Sequence, residues 1–273
     1  MTRIKHCYPI NHRPANLRER REYYSDLDLG PIMKWFYNKP EGLRLPIFHM
    51  DPGNETGYIR SKYKDEAGKL LFFRISKFEE LKEWLIDFLP EDLYYDRNIY
   101  KDSEKCMVCS KRGKDCIGCN DLVGQELMFD IDPENIDCPN CGTLEDRVKG
   151  ASMFKFCYIC FNKAIEHTIN LFDYLYNEEY ERISVVYSGR GFHIYIEDND
   201  SLYMNFVERK NFVKTIKERG FGIDPWVTEG EARLARVPFS LNGMVSKICR
   251  PIEIREIKNL DFWRSRLFVP SFI

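Results

Sequence analysis

Residues 126–132 read Glu-Leu-Met-Phe-Asp-Ile-Asp, an apolar run typical of a buried strand that nevertheless carries paired carboxylates. Side chains two positions apart in a strand share a face, so Asp130 and Asp132 are predicted to project together, with Met128 on the same face. Two like charges held that close repel each other unless a cation or a shared proton intervenes. Because hard oxygen ligands suit Mg²⁺ and Mn²⁺, the run predicts a divalent metal site, and the alternative is a solvated strand end.

The same Asp-X-Asp spacing occurs at residues 26–28 and 198–200, in polar and turn-like surroundings. Carboxylates in such surroundings stay hydrated at no cost, so both segments are predicted to be surface loops. Spacing alone therefore does not identify a metal site, and the apolar context of Asp130 and Asp132 is what distinguishes them.

The composition of the 273-residue chain is that of a globular protein with an ample core, built as one large or two modest domains. No apolar stretch approaches the roughly 18 to 20 residues of a membrane helix, and the first residues lack a signal-peptide core. We therefore expect an intracellular protein, cytoplasmic in an archaeon or nuclear in a eukaryote, without a membrane partner. A formal charge of -2 argues against a purely electrostatic nucleic-acid binder.

Eight of the ten cysteines form four Cys-X-X-Cys pairs, the spacing of structural zinc ligands. In an intracellular chain, bound metal is a better interpretation than disulfides. In sequence order the pairs predict a zinc-knuckle insertion at residues 104–120 and a zinc-ribbon-like insertion at residues 136–162, although cross-pairing stays open. The ligands would be Cys106, Cys109, Cys116 and Cys119 in the first site, and Cys138, Cys141, Cys157 and Cys160 in the second. Four thiolates leave an ion no open position, so both sites would be structural.

Hydrophobic periodicity predicts an α+β fold with a mixed or largely antiparallel central sheet flanked by helices. The two cysteine-rich insertions are expected to be excursions from a single domain that spans residues 1–273. Helices are predicted over 17–38 with a break near Gly30-Pro31, and over 77–89, 154–176 and 203–219; extended segments are predicted within 43–75 and over 183–187, 192–196, 233–237 and 250–254.

The turn between the strands at 183–187 and 192–196 suits a phosphate group. Its glycines let backbone N–H groups approach anionic oxygens, Arg190 can bind in a bidentate manner, and Ser188 and His193 can add hydrogen bonds. The alternative is an ordinary hairpin turn with an incidental arginine.

Three further residues are candidates for the same chemistry. Asp224, between Ile223 and Pro225, either completes a metal triad or simply occupies a turn before proline. Arg233 and Arg236 either reach a triphosphate or are surface cations.

Taken in order, these segments resemble the archaeo-eukaryotic primase superfamily, and specifically the small catalytic subunit of archaeal and eukaryotic DNA primase. The resemblance covers roughly residues 20–255. It includes residues 126–132 as the acidic motif, 187–193 as the serine/histidine nucleotide motif, Asp224 as the third acidic position, 233–243 as the closing basic segment, and 73–78 as an earlier segment whose arginine contacts phosphate. The cysteines around 138 and 157 also lie where such subunits often carry zinc.

The sequence departs from the family pattern in several places. The turn at residues 188–193 is one residue shorter than a common form of the motif, and the thirty residues between His193 and Asp224 leave no room for the helical subdomain of many relatives. Residues 44–48 lack an acidic residue found in many relatives, and the knuckle at residues 104–120 is not assigned by the family.

The resemblance implies a primase-type catalytic domain that acts in DNA replication as a nucleotidyltransferase, a DNA-directed RNA polymerase of the primosome. It implies two-metal synthesis of short primers from nucleoside triphosphates on single-stranded DNA, with a large primase subunit as heterodimer partner. Asp130, Asp132 and Asp224 would hold Mg²⁺ or Mn²⁺; Arg74, Ser188, Arg190, His193, Arg233 and Arg236 would hold the triphosphate. The alternatives are a superfamily repair or translesion polymerase that extends existing ends, and a non-catalytic zinc-stabilised nucleic-acid-binding subunit.

Overall fold

A computed structural model of the protein describes residues 9, 12–53, 70–108, 119–150 and 155–273. The strands are β1 (Phe48–Asp51), β2 (Leu71–Phe73), β3 (Asp92–Asp96), β4 (Asn98–Tyr100), β5 (Leu122–Gln125), β6 (Leu127–Ile131), β7 (Ile183–Tyr187), β8 (Phe192–Ile196), β9 (Leu234–Arg236) and β10 (Arg250–Ile252). The helices are α1 (Leu17–Asp26), α2 (Gly30–Tyr37), α3 (Phe78–Phe88), α4 (Ser103–Val108), α5 (Leu144–Lys149), α6 (Tyr158–Asn177), α7 (Asn199–Leu202), α8 (Phe206–Glu218) and α9 (Pro225–Glu229).

Two four-stranded sheets form the body of the described chain, with strand orders β2-β1-β3-β9 and β10-β7-β8-β6, and β4 and β5 make a separate pair. Every pairing between these strands is antiparallel. The predicted α+β class with a largely antiparallel sheet is confirmed. The strands form two sheets rather than the single predicted one. Strand β3, which the periodicity did not predict, pairs with β1 and β9, so these strands belong to a sheet separate from that of β6, β7 and β8.

Local capping explains where several helices begin. The predicted break in residues 17–38 falls at 27–29, and Pro31 lies in the first turn of α2, where its missing N–H costs nothing. Helix α8 begins at Phe206 because Asn205 and Glu208 form a capping box. The acidic segments at 26–28 and 198–200 lie at the surface as predicted, but neither is wholly a loop, because Asp26 ends α1 and Asn199 begins α7.

Alternate side chains of β6 enter two different cores. Leu127, Phe129 and Ile131 pack in a core with α6 and the inner residues of β7 and β8. Met128 packs in the other core, which lies between the two sheets and includes Tyr95 of β3. Because residues two apart share a face, Asp130 and Asp132 follow Met128 toward the space between the sheets.

Within the described ranges, no helix has the length and apolar character needed to cross a membrane.

Candidate active site

The carboxylates of β6 open into a cleft of about 190 Å³ between the ends of the two sheets. Asp130 lies directly opposite His193 in the β6–β8 register, and Asp132 follows the last residue of β6. Both sheets contribute to the lining, which consists of Tyr94, Met128, Asp130, Asp132, Ser188, Arg190, His193, Leu234, Arg236 and Asn242. The structure therefore brings two of the predicted acids together with four of the six predicted phosphate ligands.

The third predicted acid lies next to β6. The backbone N–H of Asp224 donates to the carbonyl oxygen of Asp130 over 2.9 Å, and its Oδ1 accepts from the backbone N–H of Trp226 over 3.0 Å. Asp224 is therefore the N-cap of α9, which agrees with the alternative that it occupies a turn before proline. Its role as a metal ligand stays a prediction. The same backbone bond fixes the start of α9 at the edge of the cleft.

Like charges concentrate around Asp130. Burial raises the pKa of Asp130 well above its usual range, and the charges of Asp132 and Asp224 act in the same direction. Burial also raises the pKa of Asp224, with a further contribution from Asp132. The Oδ1 atom of Asp130 is buried and accepts no hydrogen bond. A carboxylate in this position gains from a bound cation.

The turn between β7 and β8 is closed by its own hydrogen bonds. The backbone N–H of Ser188 donates to the carbonyl of Gly191 over 2.9 Å, and the N–H of Gly191 donates to Ser188 Oγ over 3.0 Å. A Cβ at position 191 would lie 2.3 Å from Asp132 Oδ1 and 2.5 Å from the carbonyl oxygen of Ile131. Only glycine allows this approach, so the turn is held against the acidic end of β6.

Arg190 is paired with two carboxylates. Its Nη2 lies 2.5 Å from Asp132 Oδ2, and its Nη1 lies 2.8 Å from Glu134 Oε1. Burial raises the pKa of Glu134 to about 7, although the charge of Arg190 acts in the opposite direction. The sequence analysis missed Glu134, and the available signal was its position two residues after Asp132.

His193 is held in the neutral state by its surroundings. Burial lowers its pKa to about 3, and its Nδ1 lies 3.2 Å from the hydroxyl of Tyr195. Its Nε2 faces Asp130 Oδ1 at 3.7 Å. The Tyr95 hydroxyl donates to Glu126, so the Tyr195 hydroxyl donates to Tyr95 and can only accept from His193. Nδ1 of His193 therefore carries the ring proton, and Nε2 presents a lone pair to the cleft.

A buried ionic network lies behind His193. The Nζ of Lys39 lies 2.6 Å from Glu126 Oε1 and 2.5 Å from Glu197 Oε1, and the hydroxyl of Tyr95 donates to Glu126 Oε2 over 2.6 Å. The hydroxyls of Tyr95 and Tyr195 are also hydrogen-bonded. The sequence analysis missed this network because its members are far apart in the chain.

Arg236 enters the cleft from the other sheet. Its Nη1 donates to the carboxylate of Asp92 and, over 3.0 Å, to the carbonyl of Leu241. Nearby, the side-chain amide of Asn242 donates to the carbonyl of Ser188 over 3.1 Å. Asn242 thus connects the turn after β7 with the chain that follows β9, a link that the sequence did not reveal.

Two predicted phosphate ligands lie outside this cleft. Arg74 is exposed just after β2, with its Nη1 3.2 Å from Glu104 Oε1. Arg233 precedes β9, donates to the hydroxyl of Tyr100 over 3.1 Å, and lines a different cleft. Arg233 also pairs with Asp96, its Nε lying 3.4 Å from Asp96 Oδ2, whereas Arg236 pairs with Asp92 at the other end of β3.

The second cysteine set assembles as the sequence predicted. The ligand atoms of Cys138, Cys141, Cys157 and Cys160 all lie within 4.8 Å of one another. Zn–S bonds of about 2.3 Å imply sulfur atoms about 3.8 Å apart in a tetrahedron. The Cys138–Cys157 and Cys157–Cys160 distances are 3.6 and 3.9 Å, so the four thiols fit a zinc ion.

The cysteine set joins the segment after β6 to the start of α6, since Cys157 is the N-cap of that helix. Of the first predicted set, Cys106 and Cys119 are described, whereas Cys109 and Cys116 lie outside the described residues. In the described ranges, no set of three or more carboxylates has its oxygen atoms all within 4.8 Å of one another, as the four sulfur atoms are.

Comparison with known proteins places the chain among its relatives. No family model matches it. It is 38% identical over 272 residues to an Archaeoglobus fulgidus protein described as an uncharacterized DNA primase small subunit-like protein, covering 99% of this chain and 95% of that one. It is 26% identical over 282 residues to the DNA primase small subunit of Saccharolobus islandicus, covering 88% of this chain and 76% of the relative.

Among solved structures, the polymerase domain of Mycobacterium tuberculosis ligase D, in complex with DNA, aligns with a TM-score of 0.49 and 12% identity. The alignment covers 89% of this chain and 83% of that one. Identity of 38% across nearly the whole of two chains establishes common family membership. The chain belongs to the family of DNA primase small subunit-like proteins.

Proposed function

We propose that this chain is the catalytic small subunit of a DNA primase, which makes short primers from nucleoside triphosphates on a single-stranded DNA template. The observation that carries the proposal is the cleft between the two sheets. There, Asp130 and Asp132 lie beside Arg190, His193 and Arg236, so cation-binding and anion-binding groups face one space. That combination suits a metal-bound triphosphate.

The donor chemistry of the acids suits a divalent cation. All three donors are carboxylates, the hard oxygen ligands that Mg²⁺ and Mn²⁺ prefer, and the buried Oδ1 of Asp130 has no hydrogen bond. Asp130, Asp132 and Asp224 would hold the ions. When bound, such ions activate a 3'-hydroxyl and neutralise the departing pyrophosphate.

The hydrogen-bond donors around the cleft would hold the triphosphate. Arg236 and Arg190 offer guanidinium donors, and Ser188 offers a hydroxyl. His193 would donate from Nε2 to a phosphate oxygen once that atom takes up a proton, which the negative charge of the triphosphate favours. Arg190 would exchange part of its pairing with Asp132 for the phosphate.

The proposal extends to organisation and partners. Residues 1–273 would form a single catalytic domain with the two zinc-binding insertions, and the chain would act as a heterodimer with a large primase subunit. The description of the Saccharolobus relative as a small subunit supports such a partnership.

The test is primer-free synthesis on single-stranded DNA with labelled nucleoside triphosphates and Mn²⁺ or Mg²⁺. The wild-type protein should make short products, and Asp130→Asn should make none because a metal ligand is lost. Asp28→Asn is a matched control, since Asp28 belongs to the exposed Asp-X-Asp segment and its Oδ1 only accepts from Gly30.

The outcomes separate the candidate functions. Extension of a supplied primer without primer-free products would identify an end-extending polymerase instead. Undiminished incorporation by a folded Asp130→Asn variant would refute the metal assignment, and absence of any incorporation by the wild-type protein, with and without a large subunit, would favour a non-catalytic subunit.

A further inference from the structure

Helix α8 carries a row of lysines on its outer face. Lys210, Lys214 and Lys217 follow the i, i+4, i+7 spacing of one helix face and are all exposed. A neighbouring face, about 100° around the helix, is buried through Arg209, Val213 and Ile216, which fixes the orientation of the helix. The lysines are therefore held in a row about 10 Å long.

These lysines line an open groove between α8 and α9. The groove has a volume of about 450 Å³, and its other charged residues are Glu218 and Glu229. Lys214 lies 3.8 Å from Glu218, but both side chains are largely exposed, so water screens that pair. In the described part of the chain, Lys210 and Lys217 form no salt bridge. The groove is thus locally positive on a chain with a formal charge of -2.

One end of the groove lies beside the third acidic position. Helix α9 forms the second wall, and the backbone of its N-cap, Asp224, is bonded to Asp130 of the cleft between the sheets. Lys217 is close enough to Asp224 for its charge to oppose the rise that burial causes in the pKa of that carboxyl. The neighbouring Trp226 leaves 61% of its surface exposed.

The other end of the groove meets a second cleft, of about 220 Å³, and Glu229 borders both. Arg209 and Arg233 are the cations of this second cleft, and Tyr203 beside them is 61% exposed. The Nη1 atom of Arg209 is buried without a hydrogen bond. Lysines, arginines and an exposed aromatic ring along one path suit a strand whose phosphates need cations and whose bases need a stacking surface.

We propose that the groove between α8 and α9 binds the sugar-phosphate backbone of single-stranded DNA, and that Tyr203 stacks on a base at the end remote from Asp130. This inference rests on the proposed function only in one respect, the identification of the bound single-stranded DNA as template or primer. Binding itself requires neither a metal ion nor a nucleotide. The lysines hold phosphates by charge, so the contact should depend on salt and tolerate any sequence.

The test is fluorescence anisotropy of a labelled oligothymidylate titrated with the full chain at several salt concentrations. The triple variant Lys210→Gln, Lys214→Gln, Lys217→Gln should bind at least about tenfold more weakly at 0.1 M salt, and the slope of log K against log salt should fall by about 2, or about 0.7 per lost phosphate contact. The triple variant Lys34→Gln, Lys77→Gln, Lys258→Gln removes the same charge from exposed positions elsewhere and should keep the wild-type slope.

A second variant tests the stacking contact. Tyr203→Ala should weaken binding by at least about fivefold and leave the salt slope unchanged, because it removes a ring and no charge. If both lysine triple variants bind alike, the groove is not the binding site. If Tyr203→Ala binds like the wild-type protein, the stacking assignment is wrong.

The outcome is separable from the proposed function. Nucleotide incorporation by the wild-type protein together with equal binding by the two triple variants would overturn the groove and leave the catalytic proposal intact. Strand binding lost only with the α8 lysines, in a protein that incorporates no nucleotide, would support the groove and overturn the catalytic proposal.

Discussion

Replacement of Lys39 by methionine tests the buried network behind His193. The ammonium group of Lys39 and the carboxylate of Glu126 each belong to side chains that are 1% exposed. The same ammonium lies 4.0 Å from the Trp35 ring centroid and 4.6 Å from that of Tyr195. Methionine preserves the length and most of the volume of the side chain, so the change removes a charge with little loss of packing.

The expected cost follows from leaving Glu126 buried without its cation. Breaking a buried ion pair on one side costs about 3–5 kcal/mol of unfolding free energy. For a chain of this size, that corresponds to a decrease in melting temperature on the order of 10 °C. Lys34→Met is a matched control, because Lys34 lies in α2, five residues before Lys39, and is exposed; it should change stability by less than about 0.5 kcal/mol.

Urea unfolding of the two single variants and of Lys39→Met/Glu126→Gln measures the effect. Glutamine keeps an acceptor for the Tyr95 hydroxyl and removes the orphaned charge, so the double variant should recover a substantial part of the loss. A Lys39→Met variant within about 1 kcal/mol of wild type would show that the network stores little energy, and a double variant less stable than Lys39→Met would show that the orphaned charge is not the cause.

Two further predictions concern the zinc site and the titration of the cleft. Cys160→Ser should lose one zinc per chain by elemental analysis, whereas Cys249→Ser, at a buried cysteine outside the four-cysteine set, should keep the wild-type zinc content; equal content in both would refute the site. Because burial lowers the pKa of His193 to about 3 from an ordinary value of 6.5, its contribution to stability is present above pH 6.5 and is lost as the pH falls toward 3. Between pH 7 and pH 5, His193→Gln should therefore lose about 2 kcal/mol less unfolding free energy than wild type, and parallel profiles would contradict the shift.

The parts of the site that the sequence predicted are those set by local geometry. Strands β7 and β8 have the bounds expected from their apolar runs. The common direction of Asp130 and Asp132 follows from the period of a strand, which no tertiary contact changes. The second cysteine set follows from ligand spacing in the same way.

The parts that it did not predict depend on partners that are distant in the chain. Strand β3 begins and ends with aspartates, so its sequence is typical of a polar turn. In the fold, Asp92 and Asp96 form ion pairs with Arg236 and Arg233, which lie far away in the sequence. Pairing with β1 and β9 then stabilises β3 as a strand despite its low intrinsic β-propensity. No sequence pattern indicates that Lys39 and Glu126 form a pair. They meet only in the folded chain, where the segment after α2 lies next to the start of β6.

The position of Arg190 has a consequence for how ligands of opposite charge affect each other. In the structure its guanidinium pairs with Glu134 and with Asp132, one of the carboxylates proposed to hold a cation. An anion that draws Arg190 away leaves those carboxylates more negative, which strengthens their attraction for a divalent ion. Coupling between two sites is reciprocal, so an ion at Asp132 releases Arg190 for an anion to the same degree. Under the proposed function, the cleft would therefore favour a cation and an anion together over either one alone.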